Sequence, residues 1–402
     1  MKILWVKSDL LHPTTKGGHI RTLEMLKRIA TRHEVLYAAF DDDPEGTGKR
    51  LSSQYCAKVY TVAHRAPGRT SPAFAAQLVR GVFSKFPVAI FRYRSAAMAR
   101  VLAEIIEKEK FDSIVCDFVT PAINFPSMQP CVVFEHNVET VLWRRHAQNA
   151  RNIAERLYLQ LQASRMFRYE GDVCRAARHV IAVSREDASQ LQEMFGIAPV
   201  SFIPTGVDVD YFTPPQASPR DGLVFVGSMD WLPNIDGMRW FCQDVLPLIR
   251  ARRPDCRLSI VGRTPSREIL RLAERDPLIE ITGTVPDVRP WLWKAAVSIV
   301  PLRIGGGTRM KIYEAMAART PVVSTTIGAE GLEVNPSRDI CIADDAPGFA
   351  ERCLELLAGE NLRKAQAAAA WTLVEREFGW DKIALRFEAI LAKYPARYPA
   401  LA

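Results

Sequence analysis

The chain has 402 residues, 48% apolar and 24% charged, with a net charge of +8. That length exceeds what one hydrophobic core usually serves, so two domains are expected, and the ordinary composition excludes a disordered or low-complexity protein. A repeat of roughly 20–50 residues is absent, which excludes a solenoid, and no apolar run reaches the roughly 18 residues of a membrane-spanning helix.

The start, "MKILWVKSDL", is too short an apolar stretch for a signal peptide and reads as a first β-strand, which implies a cytoplasmic location. Short apolar runs then alternate with helix-period stretches, the mark of βαβ units and parallel sheets. In the first half the expected strands are Ile3–Val6, Glu34–Ala39, Ser113–Cys116, Cys131–Phe134 and His179–Val183. Helices are expected near 19–31, 96–109, 150–177 and 185–195. The last of these carries Ser184 as N-cap, Asp187 three residues on, and Gly196 just past its end.

Basic residues crowd 144–178: Arg144, Arg145, Arg151, Arg156, Arg165, Arg168, Arg175 and Arg178. They read as a solvated helix face or as a surface for an anionic acceptor or membrane. The stretch 71–95 also mixes apolar and basic residues, and reads as a packed helix and loop or as a membrane-surface segment. Nucleic acid is disfavoured, because no aromatic-basic sheet motif accompanies the charge.

"PTGVDVDYFTPPQASPRDG", 204–222, gathers four prolines and two glycines and is the linker candidate. A second βαβ series follows: Leu223–Val226, a helix over 235–251, Leu258–Val261, a helix over 266–275, Ile279–Ile281, Ser298–Val300, a helix after Thr308, Val322–Ser324 and Ile340–Ile342. Helices at 347–358, 361–376 and 380–393 close the chain. The expected fold class is α/β, with two doubly wound Rossmann-like parallel-sheet domains facing a cleft. The expected divisions are 1–205, 206–380, and a helix at 381–402 that packs back on the first domain. In such sheets ligands bind beyond the carboxyl ends of the strands.

Residues 303–317, "RIGGGTRMKIYEAMA", run from a glycine loop into a helix that opens with Arg309 and Lys311. Cations are disfavoured at a helix N-terminus. Lys311 shares a face with Glu314. The other positions, Met310, Ile312, Tyr313, Ala315, Met316 and Ala317, are apolar nearly all round, which argues a buried helix. Displaced cations and a carboxylate on a buried helix point to a bound anion. A plain Lys311–Glu314 pair at a domain edge, after a tight turn at Gly305–Gly307, is the other reading.

The segment 301–332, "VPLRIGGGTRMKIYEAMAARTPVVSTTIGAEGL" with its preceding residue, is highly specific. With "LVFVGSMDWLPNIDGMRWF", "RLSIVGRTP", "ITGTVPDV", "TTKGGHIRTLEMLKRIATRHEV", "VVFEHNVE" and "IPTGVDVDYF", it resembles the retaining GT-B glycosyltransferases of family-4 (group 1) type that build bacterial polysaccharides.

The resemblance implies a transferase that moves a sugar from a nucleotide-diphosphate donor to a hydroxyl of a glycan or lipid-linked acceptor. It places the diphosphate against Gly305, Gly306, Gly307 and Thr308, with Arg309 and Lys311 as counter-charges, Glu314 on the ribose hydroxyls, and Gly227 nearby. Arg309 and Lys311 lie about 200° apart on a helix, so both cannot face one phosphate directly, and Lys311 is favoured. In the first domain His136 becomes the candidate for touching the transferred sugar or steering the acceptor. Its alternative is a structural histidine beside Asn137, which would N-cap the next helix while Glu139 complements the dipole. Asn137, Glu139, Gly17 and Gly18 are further candidate contacts to donor or acceptor; "KGGH" at 16–19 reads equally as a turn.

Two departures from the family pattern stand out. Gly306 occupies the place of a glutamate that touches the sugar in relatives, and Ser228 and Asn234 lie where many relatives carry an Arg and a Lys. The aspartate runs at 41–43 and 208–210 read as turn chemistry rather than a metal site. No metal and no resident cofactor is expected; the nucleotide sugar is a co-substrate. Eight cysteines form no C-x-x-C pair and read as scattered buried thiols. The expected setting is exopolysaccharide or cell-surface glycan synthesis, with peripheral contact to the inner face of the membrane compatible with the basic charge. The competing readings are a nucleotide-sugar epimerase of the same fold and a non-catalytic two-lobed binding protein. A nicotinamide dehydrogenase is disfavoured, since Met310 stands where a dinucleotide fingerprint needs its third glycine.

Overall fold

The computed structural model describes residues 1–14, 17–43, 45–64, 81, 84–148, 150, 152–216, 219–304 and 309–397. They form two compact units, one of residues 1–204 with 383–402 and one of residues 205–382.

In the first unit the strands are β1 (Lys2–Val6), β2 (Glu34–Asp41), β3 (Lys58–Ala63), β4 (Ser113–Asp117), β5 (Cys131–Phe134), β6 (His179–Ala182) and β7 (Ser201–Phe202). They are all parallel, in the order β3-β2-β1-β4-β5-β6-β7. The direction of winding reverses between β1 and β4, so the residues just past those two strands flank an opening between helices. The longer helices here are α1 (Gly17–Ile29), α2 (Ala96–Lys108), α3 (Glu139–Gln148), α4 (Ile153–Ala176) and α5 (Arg185–Phe195). As expected, α5 has Ser184 accepting from the Asp187 amide and Gly196 in the left-handed conformation at φ 61°.

One face of this sheet buries Leu4, Val6, Ile114, Cys116 and Val133 in a shared core. On the other face Trp5 and Phe134 meet Phe387, with ring centres 5.4 and 5.1 Å from it. That contact explains why the end of the chain belongs to this unit: Ile383, Ala384, Phe387 and Leu391 are fully buried. An ion pair from Arg32 to Glu388 at 2.6 Å and a stack of Tyr394 on His179 at 3.6 Å complete the seam.

The second unit has β8 (Leu223–Val226), β9 (Leu258–Val261), β10 (Ile279–Gly283), β11 (Val297–Val300), β12 (Val322–Ser324) and β13 (Cys341–Ile342). The order is β10-β9-β8-β11-β12-β13, again parallel, and the winding reverses between β8 and β11. Both faces are covered, as all-parallel sheets require. Leu223, Phe225, Leu258 and Ile260 fill one core, and Val224, Val261, Val300 and Leu302 the other. Its longer helices are α6 (Leu232–Trp240), α7 (Arg267–Arg275), α8 (Met310–Ala317), α9 (Ala346–Ala358) and α10 (Glu360–Leu373). Helix α11 (Trp380–Lys393) begins here, with Trp380 against Gly206, and continues into the first unit from Ile383.

The structure corrects three local expectations. The single helix over 235–251 is interrupted by a π turn at Phe241–Val245 before a helix at Leu246–Arg252. Pro247, which has no amide hydrogen and crowds the carbonyl four residues back, accounts for the break. The stretch 204–222 is no free linker: Val207 pairs with Gly379, and Val207 and Phe212 are buried in the second unit's core. Strand β3 was not expected; its residues are mostly half-buried at the sheet edge, which weakens the apolar signal.

The eight cysteines are free; six are buried and two half-buried. Of the stretch 71–95, residues 71–80, 82 and 83 lie outside the described residues, and the remainder includes the short helix Val88–Phe91.

Candidate functional site

In the second unit the candidate site lies where the sheet reverses. Gly227 follows strand β8, and its amide donates to the Val261 carbonyl at the end of β9. The two strand ends approach so closely that a Cβ on Gly262 would fall 1.8 Å from the Gly227 carbonyl oxygen. Helix α6 then starts within the same turn, and its Gly237 allows the backbone to approach the Pro301 carbonyl just past β11.

Helix α8 follows the glycine loop. Residues Gly305, Gly306, Gly307 and Thr308 lie outside the described residues. Arg309 stands at the N-cap of α8 and is buried, with its guanidinium carbon 5.6 Å from the centre of the Trp231 ring. Lys311 Nζ donates to Asn234 Oδ1 at 3.0 Å and lies 4.2 Å from the centre of the Phe225 ring. Asn234, itself buried, donates through Nδ2 to the Ser228 carbonyl at 2.7 Å. Arg309 lies at the N-cap with non-helical dihedrals, so the expected 200° separation along one helix does not hold, and it and Lys311 both reach the turn between β8 and α6. An added Cβ on Gly227 would sit 2.6 Å from Lys311 Nζ and 2.8 Å from Asn234 Nδ2, so only glycine leaves room for that ammonium.

Burial dominates the electrostatics of this pair. It pushes the Lys311 ammonium down to about 7, helped by Arg309 and opposed by Glu314. It pushes the Glu314 carboxyl up to about 7, opposed by Lys311. Around them Asp236 anchors Arg303 at 2.8 Å and Arg239 at 2.7 Å, and Arg263 donates to Ser228 Oγ at 2.8 Å. The arrangement places several cations, Lys311 and Arg309 among them, around the turn that follows β8.

In the first unit a second cluster forms at its own reversal point. Lys7 follows β1, Asp117 ends β4, and Glu135 and His136 follow β5. Asp117 is fully buried. Its Oδ1 accepts from Lys7 Nζ at 2.8 Å, and its Oδ2 accepts from Trp5 Nε1 at 2.9 Å and Thr22 Oγ1 at 2.7 Å. His136 Nε2 lies 2.9 Å from Asp117 Oδ1. The His136 ring stacks on Phe118, centre to centre 4.1 Å, and an added Cβ on Gly18 would meet that Phe118 ring at 3.3 Å and His136 Nδ1 at 3.6 Å. Gly17 opens α1 beside it.

Asn137 does not serve as the N-cap of α3. Glu170, from α4, takes that role: its carboxylate accepts from the Glu139 and Thr140 amides, each at 2.8 Å. A carboxylate there complements the positive helix end as Glu139 was expected to do. Glu139 is instead hydrogen-bonded to Asn137, and burial raises its carboxyl.

Sequence reasoning did not single out Asp117, Lys7 or Glu170, and it treated Asn234 only as a departure. The first two carry a readable signal: each is a charged residue closing an apolar strand, "ILWVK" and "SIVCD". The aspartate runs make turns. Asp43 accepts from the Glu45 and Gly48 amides, and Asp208 caps Val209–Phe212 through the Tyr211 amide.

Two family models match the chain: Glycosyltransferase Family 4 over residues 15–211 and Glycosyl transferases group 1 over residues 220–359. The chain is 23% identical over 397 residues to an uncharacterized 44.6 kDa protein in the cps region of Klebsiella pneumoniae, spanning 95% of this chain and 97% of that one. It is 30% identical over 236 residues to the GDP-mannose-dependent monoacylated alpha-(1-6)-phosphatidylinositol monomannoside mannosyltransferase of Corynebacterium glutamicum, over 53% of this chain and 61% of that one. Among solved structures, Anabaena Alr3699/HepE in complex with UDP and glucose superposes with a TM-score of 0.66 at 16% identity, covering 98% of this chain and 100% of that one.

Proposed function

The chain belongs to the GT-B glycosyltransferases, and from that premise we propose that it transfers a sugar from a nucleotide-diphosphate donor to a hydroxyl of a glycan or lipid-linked acceptor, with retention and without a metal. The observation that carries the proposal is the convergence of Lys311, Arg309, Asn234 and Gly227 at the end of β8. A diphosphate seated there would be met by the Lys311 ammonium and the Arg309 guanidinium, and Glu314 would accept the ribose hydroxyls. The donor class is supported by the similar proteins, one solved with UDP and glucose and one dependent on GDP-mannose.

In this reading the bond from the anomeric carbon to the diphosphate oxygen breaks first. The acceptor oxygen bonds to that carbon on the same face, and its proton passes to the departing phosphate. Lys311 and Arg309 stabilise the charge that develops on the leaving group, the task a metal performs in other transferases. His136 is the proposed contact for the transferred sugar or acceptor. The cell-surface glycan setting belongs to the proposal and is supported by the likeness of the 301–332 segment to polysaccharide-building relatives.

A thermal-shift panel with UDP, GDP, dTDP, CMP, ADP and NAD tests the donor assignment. A ligand at about 100 times its dissociation constant adds roughly 2.7 kcal/mol, a shift of several degrees. One nucleoside diphosphate should raise the midpoint, equally with EDTA present. A response to NAD alone, or to nucleotides only when a divalent metal is supplied, overturns the reading.

Membrane contact is part of the same proposal. On α4, Ile153 is 76%, Leu157 62% and Leu161 39% exposed, one helical turn apart. Arg144 and Arg156 border a depression of about 450 Å³ beside them. Apolar side chains flanked by guanidinium groups suit an anionic bilayer surface. The protein should co-sediment with phosphatidylglycerol vesicles and not with phosphatidylcholine, and Leu157→Asp should release it. Equal recovery in the supernatant with both lipids would remove this part.

A further inference from the structure

We propose that the second unit carries a phosphate-binding pocket on the edge of its sheet opposite the donor site, built around Arg319 and Arg363 and suited to a phosphomonoester. The pocket is independent of the transferase reading, because none of its residues belongs to the donor cluster.

A cavity of about 820 Å³ has Arg220, Arg319, Pro321 and Arg363 in its lining. Arg220 comes three residues before β8 and Pro321 directly before β12, so both lie at the amino ends of parallel strands. The Gly227 turn lies at the carboxyl ends. Helix α8 spans this separation, with Lys311 in its first turn and Arg319 just past its last.

The three guanidinium groups differ in what the fold asks of them. Arg220 is committed inside the protein: it donates to the Thr320 hydroxyl at 2.7 Å and to the Ala318 carbonyl at 2.9 Å. Its other two partners are the Leu292 and Ala295 carbonyls, so all four are neutral. Burial, and beside it Arg363 and Arg319, hold this guanidinium down to about 10. Arg363 uses only Nη1, on the Leu356 and Leu357 carbonyls at 2.7 and 2.9 Å, which leaves Nε and Nη2 as donors. The Arg319 guanidinium makes no hydrogen bond or ion pair among the described residues. It lies over the Trp371 ring, 4.1 Å from its centre, and Thr213 Oγ1 holds that ring's Nε1 at 3.1 Å. Stacking satisfies the guanidinium's face and leaves its edge donors for a ligand. Glu360 is the one carboxylate among the described lining residues, and it is exposed and paired with Lys364 at 2.6 Å.

The backbone sharpens the contrast. The Thr320 amide bonds to the Ala315 carbonyl and the Arg319 amide to the Met316 carbonyl, closing α8 in a Schellman turn. Arg319 occupies the left-handed position of that turn, at φ 54°, where glycine is the usual residue. An arginine held there against its backbone preference is accounted for by what its side chain binds.

Phosphate fits this charge better than carboxylate. A phosphomonoester carries about −1.5 to −2 charges and three acceptor oxygens, enough for the edges of two guanidinium forks. The volume lies within the roughly 300–1,000 Å³ of small-molecule pockets, and Pro214, Pro215, Ala367 and Ala368 offer an apolar wall for the ester's organic body.

Isothermal titration with inorganic phosphate and with glucose 6-phosphate tests the pocket, using wild type, Arg319→Gly, Arg363→Gln and Lys311→Ala. Glucose 6-phosphate should bind the wild type, bind Lys311→Ala within about twofold of it, and bind Arg319→Gly and Arg363→Gln at least about tenfold more weakly. Arg319→Gly should melt within about 2 °C of wild type, because glycine suits the left-handed position. Vesicles of phosphatidylcholine with phosphatidic acid form a second arm. Retention on them that Arg319→Gly abolishes assigns the phosphate to a lipid headgroup, and a response to glucose 6-phosphate alone assigns it to a soluble ester. Failure of all three probes to bind the wild type overturns the proposal. So does equal binding by wild type and Arg319→Gly, or binding that Lys311→Ala abolishes and Arg319→Gly keeps. Absence of sugar transfer would sink the functional reading without touching this pocket.

Discussion

Lys311→Ala is expected to weaken nucleoside-diphosphate binding by about 10- to 150-fold, the equivalent of roughly 1.5–3 kcal/mol for charge-assisted contacts to an anion. The loss should appear in the donor affinity of a folded protein, since within the described residues Lys311 is tied by a hydrogen bond to Asn234 rather than by an ion pair. The pH dependence sharpens the test. Lys311 sits near 7 in the free protein, and a bound diphosphate would raise it, so this residue's share of affinity is present below about pH 7 and is lost as pH rises. Glu314, also near 7, acts with the opposite sign: it accepts ribose hydroxyls only when ionised, so its share grows with pH. The wild-type affinity should stay flat within about threefold from pH 6 to 9. Lys311→Ala should bind better as pH rises, and Glu314→Gln worse, by up to about tenfold per unit. Isothermal titration across that range reads both slopes. Wild-type affinity in Lys311→Ala, or slopes of the same sign in the two variants, would show that the phosphates are held elsewhere.

Gly262→Ala should lower the stability of the second unit by about 3 kcal/mol or more. The added carbon would lie 1.8 Å from the Gly227 carbonyl oxygen, and both partners are backbone, so no rotamer change relieves the overlap. Strands β8 and β9 would have to spread where Val226 pairs with Val261 and where the Gly227 amide bonds to the Val261 carbonyl. A fall in melting midpoint of roughly 6–12 °C is the expected readout, with donor binding lost because the Gly227 turn moves. Gly379→Ala is the control: its added carbon would meet nothing nearer than the Glu375 carbonyl at 3.6 Å, and its φ of −60° suits alanine. Equal midpoints for the two variants would refute the close-approach argument.

Much of the α/β architecture was legible because buried parallel strands are short apolar runs. Cys131–Phe134, Leu223–Val226 and Leu258–Val261 have the expected bounds. What escaped was marginal in burial or length. Strand β3 is half-buried, β7 has two residues, and the helix Arg289–Lys294 has six. The π turn before Pro247 and the burial of Val207 and Phe212 in a proline-rich stretch are tertiary outcomes. In both cases packing against a core overrides what the local residues suggest.

The amino-acid sequence by itself determined that this is a chain of parallel βαβ units, with a glycine loop running into a buried helix that carries Arg309, Lys311 and Glu314. Apolar periodicity and glycine placement are local properties, so they can be read without the fold. Only the tertiary structure decided which distant groups share a hydrogen bond. Lys311 meets Asn234 across 77 residues, and Asp117 meets Lys7 across 110. Those pairings depend on the order in which parallel strands lie side by side. Strand order brings the ends of β1 and β4, and of β8 and β11, together, and a buried charge is stable only where such a neighbour arrives.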